Sequence, residues 1–519
     1  MIKKFTVFFL ISGLFALNNN LFGISESNKS HFNPTINKKE QEYDLIYNIE
    51  PFYEIKKVRF AVTLEFRGDK SGETKILLPG NFGGKNNYEG IKFLKPLSEN
   101  TSIINTDNPE QKIIKHPSGE PVKLYYQVEE IRNDNVELGN HYLTILNKTY
   151  FHFLGETFFV FPAWDWYSNY KILITWNHMP YTWSLANSFG INEKIQSISV
   201  SLDQLSSSLF MGGDFRIIKR NVDNNPVYLS IRGRWNFSDD QLLDIIKDII
   251  SIERNFWNDH EFPYYIISVI PIEGRGEQGG ISRTNAYALF LTPDRIIDYR
   301  LKRIIAHETF HIWLGEKIKF SEPEALSFWF KEGFSDYYAR LLLLRANLIT
   351  QDEYVEEYNK ILYAYFTSSV RDEKNERVVK EFWTNQNIMK LPYMRGDIIA
   401  HNLNAIIYKN SRGSKNLDNL MLDLFKRSKT ESLTVSNGSL SALIRFYAGE
   451  QALADIMKCL NSGASLKSHP EALGPCYELE IESFRKLWLI GELYEIPSYK
   501  LKSTNKSNNK KCLEWFGVK

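Results

Sequence analysis

The chain has 519 residues, 43% hydrophobic and 24% charged, an ordinary globular composition in a chain too long for one small core. Lys plus Arg number 63 against 62 Asp plus Glu, so no net charge draws the protein to nucleic acid or to an anionic membrane. Aromatic residues make up 14%, with 34 Phe and 28 Tyr, which suits large β-rich cores before it suits an aromatic cleft.

Lys3 and Lys4 precede a mostly apolar run from Phe5 to Leu17, followed by Asn18-Asn19-Asn20. This pattern predicts a secretory signal over residues 1–25, cleaved between Ala16 and Ser27. The run is shorter than the ~20 residues a membrane span needs. No Cys stands nearby to carry a lipid, and no later stretch is apolar enough to span a bilayer. The expected product is secreted or periplasmic, without a membrane anchor.

Residues 26–44 read as a polar, disordered lead-in. Val58, Phe60, Val62, Leu64 and Phe66 then alternate with polar or small residues, as do Tyr170, Ile172, Ile174 and Trp176, and Val227, Leu229 and Ile231. Residues 45–235 are thus expected to form an antiparallel β domain. At Ser238 the period changes: Ser238 and Gln241 form a capping box, and Leu242, Ile245, Ile246, Ile249 and Ile250 share one helical face. A strand at Tyr264–Ile270, a Gly-rich turn from Gly274 to Gly280, a strand at Asn285–Leu291 and a helix from Ile297 complete a second domain, 236–350. Residues 351–500 read as helical, and 501–519 as a polar tail frayed from Ser503 to Lys511. Of three cysteines, Cys459 and Cys476 would close a short loop and leave Cys512 free; three unpaired thiols is the other reading.

The string with chemistry in it is His307-Glu308-Thr309-Phe310-His311. On a helix, residues four apart lie one turn up on the same face. The two imidazoles can bind one zinc ion, and Glu308 stands beside the remaining coordination position, able to take a proton from water and pass it to a leaving amine. The competing reading is a salt-bridged surface pair. A catalytic zinc needs a third protein ligand, and Glu332 stands 21 residues after His311 in Trp329-Phe330-Lys331-Glu332-Gly333-Phe334-Ser335-Asp336. Leu326, Trp329, Phe330 and Gly333 share a face, so Glu332 sits on a second helix packed against the first. Asp336, one turn on, is placed to accept the other ring N–H of a zinc-binding His.

His-Glu-x-x-His followed by Glu-Gly-Phe-Ser resembles the gluzincin metallopeptidases, and HETFHIW with WFKEGFSDYY resembles the glycyl aminopeptidase family most. The resemblance implies an α+β multidomain fold: an N-terminal antiparallel β domain, a thermolysin-like zinc peptidase domain and a C-terminal helical domain. It implies one Zn2+ per chain, held by His307, His311 and Glu332, with Glu308 as general base and a peptide or protein as substrate. Related gluzincins carry a Tyr-x-Lys-Gly string whose hydroxyl stabilises the oxyanion. Here Tyr393-Met394-Arg395-Gly396 matches with Arg for Lys, which makes Tyr393 the candidate donor. His401, two turns on, reads as structural. The family's Gly-Gly-Leu-Glu-His strand, which lies along the substrate, reads here Gly279-Gly280-Ile281-Ser282-Arg283. Gly279, Gly280 and Ser282 are then the substrate-binding positions, and strand 283–291 is expected to add the substrate as a further strand. Ser282 replaces the Glu that holds a free N-terminus in gluzincin aminopeptidases, and a hydroxyl cannot pair with an ammonium as a carboxylate can. Glu273 or Glu277 is the candidate replacement, and Arg283 would repel an ammonium if it faced the cleft. An endopeptidase, or a peptide-binding protein on a retired scaffold, is the alternative.

Overall fold

Val58, Phe60, Val62, Leu64 and Phe66 all point into the core from one strand, Val58–Arg67, as their alternation requires. This computed structural model describes residues 43–518 apart from 55–56, 133–134, 262–263, 322, 432–433, 486–492 and 504–508. The expected signal, 1–25, and the lead-in up to residue 42 lie outside the described residues.

Val58–Arg67 pairs antiparallel with Leu45–Tyr53 on one side and Pro121–Glu129 on the other, inside a six-stranded sheet. The one parallel pair in that sheet joins Leu45–Tyr53 to Asn169–Trp176. Smaller sheets complete the β region, whose core is filled with rings: Phe153 stacks on Phe158 at 3.8 Å between centroids and on Phe210 at 5.3 Å. The larger share of the buried aromatics, Trp257, Trp313 and Phe330 among them, packs instead in the core shared by the following sheet and the helices, so the high aromatic content does not mark the β region alone.

A five-stranded sheet follows, in the order Arg216–Val222, Asn225–Ile231, Tyr265–Pro271, Ala286–Leu291, Gln278–Arg283. Asn225–Ile231, expected to close the β domain, pairs instead in parallel with Tyr265–Pro271. A parallel pair needs a long crossover, and the helix Asp239–Trp257 supplies it, capped by Ser238 and Gln241 as the sequence predicts. Ala286–Leu291 is hydrogen-bonded on both sides, so it cannot take up a further strand; the free edge belongs to Gln278–Arg283. That corrects the expectation that strand 283–291 receives a substrate.

Beyond the sheet lie the helices Tyr299–Phe310, Phe328–Arg345, Gln351–Phe366, Asn375–Glu381, Gln386–Asn410, Leu417–Glu431, Asn437–Ala448 and Glu450–Ser462. The helical reading up to residue 500 fails at its end, where Tyr477–Arg485 and Leu493–Leu501 form an antiparallel hairpin. Its period-2 signal, Tyr477, Leu479 and Ile481 separated by Glu, is short. The hairpin is fixed by tertiary bonds: Asn359 donates to the Tyr499 carbonyl at 3.0 Å and accepts from the Tyr499 N–H at 2.9 Å. Of the tail expected to fray, residues 504–508 lie outside the described residues, while Asn509–Trp515 is a short helix with Cys512 buried, as is Phe516 just after it. Cys512 forms the disulfide with Cys476, across 36 residues, while Cys459 is a free thiol facing inward from the helix Glu450–Ser462. The expected Cys459–Cys476 bridge is therefore not made. Among the described residues no helix is long and apolar enough to cross a membrane.

Candidate active site

The helix Tyr299–Phe310 starts at Asp298, whose carboxylate accepts the Leu301 N–H at 3.0 Å, and buries Leu301, Ile305 and Phe310. His307 lies in its last turn and His311 is its C-cap, so both rings emerge on one side. The helix Phe328–Arg345 packs against it through Phe310 and Tyr338, stacked at 5.1 Å, and delivers Glu332 to the same place. His307 Nε2 and His311 Nε2 stand 3.0 Å apart, and each is 3.3 Å from Glu332 Oε2. A tetrahedral zinc with bonds of about 2.0–2.1 Å has ligand–ligand edges of about 3.3–3.4 Å. Both distances to Glu332 match that edge, and the two imidazole nitrogens need part by only a few tenths of an ångström to do so, so the donor set fits the ion with little movement.

The rings are oriented from behind. His307 Nδ1 is 2.9 Å from Asp336 Oδ1, and His311 Nδ1 is 3.0 Å from the Leu314 carbonyl. The carbonyl that accepts from His311 Nδ1, and the Asp336 charge close beside His307 Nδ1, favour the proton on those atoms and leave the Nε2 lone pairs for a metal, although the angle at His307 is poor for a hydrogen bond. Burial works against an ionised Asp336, but Arg303, 2.5 Å away, and His307 hold its carboxyl down at about 2.

Glu308 faces the edge strand Gln278–Arg283. A Cβ on Gly280 would come within 2.8 Å of Glu308 Cγ and Oε1, so the strand passes the carboxylate as closely as backbone can. Burial raises the Glu308 pKa, and the neighbouring His307 and His311 oppose the rise. Tyr393 arrives from the helix Gln386–Asn410, its ring stacked 5.8 Å from that of His307. Two glycines permit the approach: a Cβ on Gly396 would overlap the Trp329 carbonyl, and one on Gly333 would meet the Gly396 backbone. A fully buried Arg340–Asp397 ion pair, 2.7 Å, ties the same two helices together. Burial, and then the carboxylates of Glu332, Asp336 and Glu308, keep the Tyr393 phenol protonated. His401 is buried against Tyr358 at 3.7 Å and bonded to Tyr354, away from the zinc donors, as its structural reading expects.

The edge strand differs from expectation in one respect. Arg283 is no isolated cation: its Nη2 is 2.5 Å from Glu156 Oε1, and its guanidinium lies over Phe82 at 5.1 Å. Ser282 Oγ is buried with no hydrogen-bond partner among the described residues. Glu273 and Glu277 precede the strand, and Glu277 folds over the Gly274 turn. At about 3.3 Å per residue, Glu277 starts some ~16 Å from Ser282. Glu156, Tyr142, Phe82 and Trp383 also border this strand or its cleft, and sequence reading missed all four. They come from three distant stretches, and no local spacing marks them.

Residues 300–412 match the sequence model of the M61 glycyl aminopeptidase family. No curated protein sequence matches the chain. Among solved structures, an aminopeptidase N family protein from Idiomarina loihiensis is similar over 84% of this chain and 79% of its own, at 16% identity and a TM-score of 0.71. An M1 zinc metallopeptidase from Deinococcus radiodurans is similar over 82% of this chain and 94% of its own, at 13% identity and a TM-score of 0.52. These structures share the fold. The donor set and the family match define the class: the protein is a zinc metallopeptidase, acting on peptides. Within that class, the segment 300–412 that carries the three donors is similar to the M61 glycyl aminopeptidases.

Proposed function

We propose that the protein is an exported zinc aminopeptidase that removes residues from the amino ends of peptides. The observation that carries this reading is the close passage of the free edge strand at Gly280 beside Glu308, next to the three convergent donors. A peptide added to that edge by main-chain hydrogen bonds has its scissile carbonyl beside the donor set. A zinc ion held by His307, His311 and Glu332 supplies Lewis acidity towards that carbonyl and acidifies water. Glu308 takes the water proton and delivers it to the departing amine, and its raised pKa suits both halves of that exchange. The Tyr393 hydroxyl, kept neutral, donates to the oxygen that becomes negative in the transition state. Asp336 holds His307 in position throughout.

An endopeptidase is the second reading, favoured by the hydroxyl of Ser282 where a carboxylate would receive an ammonium. An intact set of His307, Glu308, His311 and Glu332 weighs against a retired binding scaffold. The basic, apolar start from Lys3 to Leu17 supports export to a secreted or periplasmic location. One M1 zinc metallopeptidase of Deinococcus radiodurans has been solved bound to Tyr-Ser-Ala, so tripeptides with a free amino end are the first substrates to try here. The test is to incubate the zinc-loaded protein and its Glu308→Gln variant with a mixed peptide library and map every cut. Cuts confined to amino-terminal bonds, absent with the variant, are expected. Interior cuts throughout, or cleavage undiminished in Glu308→Gln, would contradict the proposal.

A further inference from the structure

The far side of the cleft is built from stretches distant in sequence. Asn81–Phe82 and Lys85–Asn86 form a tight hairpin whose turn, Gly83-Gly84, has φ of +62° and +73°, a left-handed pair that glycine adopts without strain. The tip reaches from the β region to the helices. A Cβ on Gly83 would lie 3.5 Å from the Tyr142 ring, and one on Gly84 would lie 4.0 Å from the Trp383 carbonyl oxygen. Phe82, Tyr142 and Trp383 meet there, with ring centroids 5.9 Å, 6.1 Å and 6.4 Å apart.

This aromatic wall abuts the edge strand at two points. Phe82 lies under the Arg283 guanidinium at the strand's carboxyl end. Tyr142 follows His141, whose Nε2 would be 3.1 Å from a Cβ on Gly279. The Tyr142 phenol, raised to about 12 by burial and by the Glu308 charge, is a neutral surface beside the reacting groups. Trp383, 53% exposed, presents its outer face to solvent, so the wall separates the cleft from bulk water. From Gly280, beside Glu308, to Arg283 is about 10 Å along the strand, room for about three residues of an added peptide.

Resting on the aminopeptidase reading, we infer that the Phe82–Tyr142–Trp383 wall closes the Arg283 end of the cleft and admits no more than about three residues before the scissile bond. Selection for peptide ends is then steric. It needs no carboxylate at position 282, and an acetyl group on the amine, which is smaller than one residue, is tolerated where a longer extension is not.

The experiment uses the full zinc-loaded chain and one core peptide carrying no, one, two or four additional amino-terminal residues, each free and acetylated, with cuts mapped by mass spectrometry. The wild type should cut only within the first three bonds of every free peptide. Trp383→Ala and Phe82→Ala should each raise the ratio of interior to terminal cleavage, by about tenfold or more, since a removed ring frees a whole subsite. Circular dichroism establishes that each variant is folded, and either one alone decides the question. Interior cutting by the wild type, or folded variants whose ratio stays at the wild-type value, would overturn the wall. No cleavage of any peptide by the wild type would instead overturn the peptidase reading beneath it.

Discussion

Gly280→Ala is the smallest change that should separate the chemistry from the metal. The added methyl carbon would sit 2.8 Å from Glu308 Cγ and Oε1 and 2.9 Å from its Cδ, where ordinary contacts begin at 3.4 Å. Something must give by more than half an ångström. The cheaper movement is rotation of the Glu308 side chain, because the strand is held by its register with Ala286–Leu291. A displacement near 1 Å in a reacting group costs on the order of 10²-fold in rate, so kcat should fall by about ten- to a hundredfold. His307, His311 and Glu332 are not touched, and zinc per chain should be unchanged. Gly279→Ala is the control, since its methyl meets Leu138 and His141 rather than Glu308. The assay is steady-state hydrolysis of a free tripeptide, with zinc measured on the same samples by atomic absorption. A Gly280→Ala enzyme with wild-type kcat and full zinc would mean that the strand does not run against the general base.

Tyr393→Phe should lower kcat by about 10²–10³-fold with little change in KM, because the negative oxygen exists only in the transition state; an effect confined to KM would make the tyrosine a binding group. Burial depresses His141 to about 4 and His152 to about 3. The unfolded chain, with His near 6.5, then binds the extra protons as pH falls, so stability held above pH 6.5 is lost towards pH 3–4. Each histidine accounts for about 2 kcal/mol between pH 7 and pH 5. His152→Gln should shrink the loss of urea stability over that interval by about that amount, and an unchanged loss would show that His152 is not buried neutral. Reducing the Cys476–Cys512 bridge, which ties the short terminal helix to the start of the hairpin, should lower the melting temperature; it closes a 36-residue loop, and an identical melt with reductant would show that the bridge contributes nothing.

What was legible in the sequence is what helical geometry repeats locally. The four-residue spacing of His307 and His311, the apolar face that turns Glu332 inward, and Asp336 one turn later all become neighbours once two helices pack. Tyr393 and Gly396 belong to the same kind of pattern, although only the Gly333–Gly396 contact explains how the third helix comes so close. Sheet order was not legible, because Gln278–Gly280 read as the end of a Gly-rich turn, and only pairing shows that Gln278–Arg283 is a strand and is left at the edge. Contacts between distant stretches were equally hidden: Arg283 and Glu156 lie 127 residues apart and meet only in the fold. The disulfide has the same cause, since the short loop between Cys459 and Cys476 gave no hint that Cys459 faces a helical core while the chain end folds back to Cys476.

Peptide hydrolysis by this protein should require one zinc ion, held by His307, His311 and Glu332. The most direct measurement is hydrolysis of a free tripeptide by the purified protein before chelation, after exhaustive chelation and after stoichiometric zinc is returned, with metal content followed in parallel and His311→Ala alongside. The expected result is about one zinc per chain, turnover lost with the metal and restored with it, and little zinc or activity in His311→Ala. Full turnover by the metal-free protein, or full zinc occupancy in His311→Ala, would contradict it.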